Sequence, residues 1–107
     1  MASLNEIANE INTVAHEHGW WDEPRSFGDV IALCHSELSE ALEAYRNNES
    51  MMFFEKKKPE GVAVEMVDCI IRILDYLYEE HVDIDDVFQR KLEYNKSRSY
   101  RHGGKRL

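Results

Sequence analysis

Apolar residues recur at three- and four-residue steps in four runs of the chain, the spacing that puts them on one side of a helix. Leu4, Ile7, Ile11, Val14 and Ala15 make the first stripe. Ser3 with Glu6 reads as a capping box at its start, and Gly19 supplies its stop. Phe27, Val30, Ile31, Cys34, Leu38, Ala41, Leu42 and Tyr45 carry the second run, behind an N-cap signal at Ser26 and Asp29. Val64, Val67, Ile70, Ile71, Leu74, Leu77 and Tyr78 carry the third, with Pro59 suited to its first turn. Asp83 caps the fourth, whose stripe is Ile84, Val87, Phe88 and Leu92. The pattern predicts an all-α, four-helix, bundle-like fold.

Two connections stand out by composition. Trp20, Trp21 and Pro24 lie in a short aromatic loop, where the indoles either plug the end of the core or offer flat faces to a stacking ligand. Asn47 to Lys58 reads as a longer loop with Met51, Met52, Phe53 and Phe54 in its middle and three lysines at its end. Such a cluster suits core filling, a subunit contact or a lid, and its adaptable methionines favour the subunit contact.

Beside the apolar stripes of the second and third helices runs a second row: Leu33, Glu37, Glu40 and Ala44, then Gly61, Glu65, Asp68 and Arg72. Glu37 and Glu40 have Leu33, Ser36, Ala41 and Ala44 at their four-residue neighbours, where a solvated charged face would place Lys or Arg. Each acidic pair is spaced i, i+3, so its carboxylates share a helix face, and the second pair repeats the first at both members. Two facing pairs would grip a hard cation through oxygen alone, which is what magnesium takes. No histidine completes a Glu-x-x-His motif, so a di-iron carboxylate bundle is not indicated.

Charge sharpens this picture. Of the net −8, the segment from Arg90 to Leu107 contributes +6 (seven Lys or Arg against Glu93), which leaves −14 for the body. An acidic body would repel a nucleic-acid backbone, whereas a small phosphate ligand bridged by metal suits both halves. Lys91, Asn95 and Arg98 recur at i, i+4, i+7 on the fourth helix and can reach one ligand together. Residues 1–98 are expected to form the helical domain, and 99–107 a basic tail with Gly103 and Gly104 that contacts phosphate. Cys34 and Cys69 sit in apolar runs without a CxxC spacing and read as buried reduced thiols. No window is apolar enough to span a membrane, and a soluble cytoplasmic protein is expected. At 107 residues the apolar stripes exceed what one thin bundle covers, so a homodimer or homotetramer is expected too.

Glu37-x-x-Glu40 followed by Glu65-x-x-Asp68 resembles the metal motif of the MazG-like all-α nucleoside triphosphate pyrophosphohydrolases. His35 to Glu43 and Glu65 to Ile71 look like that family's second and third helices, and Lys91-x-x-x-Asn95-x-x-Arg98 resembles its phosphate-contacting segment. The resemblance covers Gly19 to Lys105. It implies Mg2+-dependent cleavage, with Mn2+ as a substitute, of a (deoxy)nucleoside triphosphate to the monophosphate and pyrophosphate. Glu37, Glu40, Glu65 and Asp68 would hold metal. Glu37 or Glu40 would serve as base, since Ser36 stands where some members have a further Glu. Lys91, Asn95, Arg98, His102 and Lys105 would bind phosphate, and Trp20 or Trp21 resembles the aromatic that packs on the base. The alternative is a noncatalytic helical regulatory module that binds nucleotide or protein with the same groove.

Overall fold

A computed structural model describes residues 2–98. Four helices make up 68% of it, so the all-α expectation holds, with one small hairpin added. The elements are α1 (Leu4–Glu17), α2 (Phe27–Arg46), β1 (Phe53–Glu55), β2 (Lys58–Glu60), α3 (Val62–Glu79) and α4 (Ile84–Ser97). Among the described residues no helix is long and apolar enough to cross a membrane.

Helix α3 is the centre, with α2 packed along one side and α1 along the other. The caps read from the sequence are present. Ser3 and Glu6 exchange hydrogen bonds at the start of α1, and Ser26 and Asp83 accept from the amides of Asp29 and Asp86 at the starts of α2 and α4. The beginnings of α1 and α4 also cap one another. The Asp85 carboxylate accepts from the amides of Leu4 (3.0 Å) and Asn5 (3.2 Å), while Asn5 Oδ1 accepts from Ile84 N (2.8 Å). Each helix thus satisfies donors that the other leaves unpaired. Ala8, Leu74 and Ile84 form the core beneath this junction.

Pro59 does not open α3, as its position in the sequence suggested. It lies in β2 opposite Phe54, and Phe53–Glu55 forms the partner strand of a two-stranded antiparallel ribbon. The ribbon then caps α3 from outside: Val62 N and Ala63 N donate to the carbonyls of Ser50 (3.1 Å) and Met51 (2.9 Å). Gly61, at φ +123°, allows that approach, since a Cβ there would stand 2.5 Å from Ser50 O.

The core is thinner than the stripes predicted. On α2 the buried residues are Val30, Cys34, Glu37, Ala41 and Ala44, while Leu42 and Tyr45 are 60% and 66% exposed. Small side chains bring α2 close to α3 at Cys34 and Cys69, and the larger apolar residues flank that seam uncovered. Met66, Val67 and Ile70 on α3, and Val87, Phe88 and Leu92 on α4, are exposed likewise.

Candidate metal centre

The α2–α3 seam places the two acidic pairs face to face. Glu37, Glu65 and Asp68 each offer an oxygen within 4.8 Å of the others. Oxygens bound to one magnesium ion at about 2.1 Å lie about 3.0 Å apart when adjacent and about 4.2 Å apart when opposite. The three carboxylates would draw together to hold such an ion, and the all-oxygen donor set suits a hard cation. Glu40 is exposed and stands within hydrogen-bonding reach of Glu65. Three of the four acids singled out from the sequence thus converge, and the fourth, Glu40, stands beside Glu65.

Gathering carboxylates raises the cost of ionising them. Burial, then a hydrogen bond with Glu40, then the charges of Glu40, Asp68 and Glu37 push Glu65 up to about 7. Asp68 is raised as well, by burial and then by the charge of Glu37, with Arg72 opposing. Near neutral pH, Glu65 holds a proton for much of the time, and a cation would replace it.

Glu37 is the deepest of the four, 8% exposed, and neither four-residue neighbour on its own helix is a cation. Its partner comes from α3. Arg72 Nε donates to Oε1 of Glu37 (2.9 Å), and Arg72 Nη2 forms an ion pair with the same oxygen at 2.8 Å. The Arg72 guanidinium also lies against the Trp20 ring, 4.9 Å from its centroid, and Arg25 covers the same ring at 3.7 Å. Arg25 Nε donates to Trp20 O, which pins the loop backbone.

The two tryptophans play different parts. Trp21 donates its indole N–H to both carboxylate oxygens of Asp75 (3.2 and 3.0 Å), and Asn12 Nδ2 donates to Asp75 Oδ1 (2.8 Å). Asp75 is only 5% exposed, so Trp21 is a fastener between the loop and the two helices behind it. Asn12 also donates to Glu79, which His16 meets at 2.7 Å. Burial alone would push Glu79 up, but the bonds from Asn12 and His16 outweigh it and hold the carboxyl below its ordinary value. Trp20 instead borders an apolar trough of about 480 Å³ between α1 and α3, floored by Ile11 and Ile71.

On α4, Lys91 and Asn95 are exposed and Arg98 is half-buried. Lys91 Nζ and Arg98 Cζ lie 5.1 and 5.6 Å from the centroid of the Tyr94 ring. Among the described residues no hydrogen bond or ion pair joins these three to the acidic cluster. His102 and Lys105 lie outside the described residues. Lys58, which the sequence reading passed over, does approach the cluster: it pairs with Glu60 (3.0 Å) and its charge is felt at Asp68.

Compared with family models, curated proteins and solved structures, the chain matches none.

Proposed function

We propose that this chain is a Mg2+-dependent hydrolase that converts (deoxy)nucleoside triphosphates to the monophosphate and pyrophosphate, on a MazG-type helical fold and as a homo-oligomer. One observation carries the proposal: Glu37, Glu65 and Asp68 converge from two helices on a point that oxygen-seeking cations suit, with Glu40 at its rim. The resemblance of Glu37-x-x-Glu40 and Glu65-x-x-Asp68 to the MazG-like motif supplies the reaction. Mn2+ fits the same donors.

A bound divalent cation would neutralise phosphate charge and make a water more acidic. The protein's own groups do the rest. Glu40, exposed and free of the Arg72 pair, is the carboxylate placed to take a proton from water, while Glu37 is held in position by Arg72. Lys58 stands where a phosphate oxygen could replace Glu60 as its partner. Lys91, Asn95 and Arg98, with His102 and Lys105 of the tail, would hold the remaining phosphate charge and the leaving pyrophosphate. Trp20 would stack on the base, and Trp21, bound to Asp75, would hold the loop that carries it.

The oligomer rests on surface. Among the described residues Leu42 and Tyr45 on α2, Met66 and Ile70 on α3, and Phe88 and Leu92 on α4 are exposed, apolar surface of the kind that a subunit interface covers.

The Arg72–Glu37 pair gives some weight to a second reading, a noncatalytic nucleotide- or protein-binding module, because a guanidinium already neutralises the deepest carboxylate. Incubating the pure protein with a panel of ribo- and deoxynucleoside triphosphates and Mg2+ separates the two. Release of pyrophosphate and monophosphate supports the hydrolase. Binding without turnover of any of them supports the module.

A further inference from the structure

Arg72 occupies a junction. It sits four residues after Asp68 on α3, one turn from the carboxylate cluster, and its Nε hydrogen bond and its Nη2 ion-pair contact both fall on one oxygen of Glu37. Oε2 of Glu37 has no hydrogen bond among the described residues. The same guanidinium leans on Trp20, whose ring Arg25 also covers. Arg72 also borders the apolar trough beside Trp20, together with Asp75. No other described side chain touches both Glu37 and the aromatic loop through polar or ring contacts.

We propose that Arg72 is a positioning residue that couples the carboxylate cluster to Trp20, so that a divalent cation at Glu37 changes the packing of Trp20 and a flat aromatic ligand at Trp20 changes the affinity for the cation. This rests on the metal-centre reading above. A cation drawing on Glu37 weakens the hold of that carboxylate on Arg72, because the two positive groups compete for one negative charge. The guanidinium is then freer to press on the Trp20 face, where its attraction to the ring is the remaining partner. In reverse, an aromatic ligand that takes the Trp20 face displaces Arg72 from it and returns the guanidinium to Glu37. Coupling of this kind is reciprocal: whatever factor the cation imposes on the ligand, the ligand imposes on the cation. The sign here is antagonistic for an uncharged aromatic ligand. A triphosphate escapes it, because its phosphates offer Arg72 a third partner.

The test uses the full chain with Mg2+ as the cation and adenosine, without phosphates, as the aromatic probe. Mg2+ affinity is read by competition against Mn2+ with electron paramagnetic resonance, which does not depend on tryptophan. Trp20 is read by 19F NMR of protein carrying 5-fluorotryptophan, its resonance assigned with W20F, so the fastener at Trp21 stays intact. The expected result is a Trp20 resonance that moves with the same Mg2+ dependence as the binding curve, and an Mg2+ affinity lowered about 5-fold by saturating adenosine. R72Q should still bind Mg2+, with the Trp20 response and the adenosine effect both lost. R72K keeps the charge but not the planar fork, and should lose most of the response. Mg2+ binding with a still Trp20 resonance, or a full response in R72Q, overturns the coupling and leaves the metal centre standing. Absence of Mn2+ and Mg2+ binding overturns both. Should R72Q fail to fold, a wild-type Trp20 resonance that ignores saturating Mg2+ is by itself enough to reject the coupling, and one that tracks binding together with the adenosine effect supports it.

Discussion

Arg72 and Glu37 meet across the seam between α3 and α2 at a single carboxylate oxygen, which accepts from Nε at 2.9 Å and lies 2.8 Å from Nη2. Glu37 can be buried because of this pair. Removing one partner of a buried pair strands the other charge, which costs more than the pair itself contributes. Arg72→Met should therefore destabilise the fold by about 2 kcal/mol, less than a fully buried pair because Arg72 keeps some contact with solvent. Adding Glu37→Gln to it should recover about half of that loss. Urea denaturation of the two single variants and the double variant measures the coupling, and strictly additive losses would mean that the pair contributes nothing.

The pH dependence of the metal-free protein follows from Glu65. Its folded pKa is raised from 4.5 to about 7, so the folded state binds this proton more tightly than the unfolded chain does. The associated stability is fully present below pH 4.5 and is lost as pH rises through 7. Glu65→Gln removes the loss. In EDTA at pH 8 it should gain roughly 1 kcal/mol, well under the full linkage because Glu65 is partly solvated. That corresponds to a melting point higher by about 4 to 8 °C. At pH 4 the two proteins should melt together, and saturating Mg2+ should raise only the wild type. A variant that melts lower than wild type at pH 8 in EDTA would show that the carboxylates are not in conflict.

Hydrolysis separates the acids by role. Glu40→Gln leaves Glu37, Glu65 and Asp68 in place, and should abolish turnover while Mn2+ still binds. Asp68→Asn removes one of the three converging oxygens' charges and should lower cation affinity and turnover together, with helix content unchanged by circular dichroism. Wild-type turnover by either variant would move the active site elsewhere.

Helices, caps and the acidic pair on each of α2 and α3 were legible because each depends on spacing along a single helix. What was not legible depends on a partner far away in sequence. Glu37 looked unpaired when its own helix was searched, and its cation came 35 residues later from Arg72, which the row through Glu65 and Asp68 already contained. Asp75 lay inside an apolar run with nothing nearby to mark its bonds to Asn12 and Trp21. The ribbon was hidden by Pro59, a residue as suited to a first helical turn as to the edge of a two-stranded sheet. The stripes overstated the core because periodicity says which residues share a face, not whether anything in the same chain covers it.

Asp75 should be the most sensitive position of the aromatic loop. Asp75→Ala leaves the Asn12 amide and the Trp21 N–H without their acceptor in a buried site, at about 1 to 3 kcal/mol for each group left unpaired. Trp21→Phe removes only the donor and should cost about 1 kcal/mol. Chemical denaturation should rank the two in that order, and equal losses would mean that water reaches the site and satisfies it.

Gly61 tests whether the ribbon sets the geometry of the metal centre. Its φ of +123° is open only to glycine at low cost, and a Cβ would meet the Ser50 and Met51 carbonyls at 2.5 and 2.6 Å. Those two carbonyls cap the first amides of α3, and Glu65 lies in that first turn. Gly61→Ala must push the ribbon away from α3, which uncaps the helix and loosens Glu65 while Asp68, one turn further in, stays packed. The expected outcome is a loss of about 2 kcal/mol or more in stability together with weaker Mn2+ binding. A control at Gly28, where a Cβ meets nothing closer than 3.8 Å, should leave both unchanged. Were Gly61→Ala to lose stability and keep its Mn2+ affinity, the ribbon would be a fold element alone, and the position of Glu65 would be set by the α2–α3 seam.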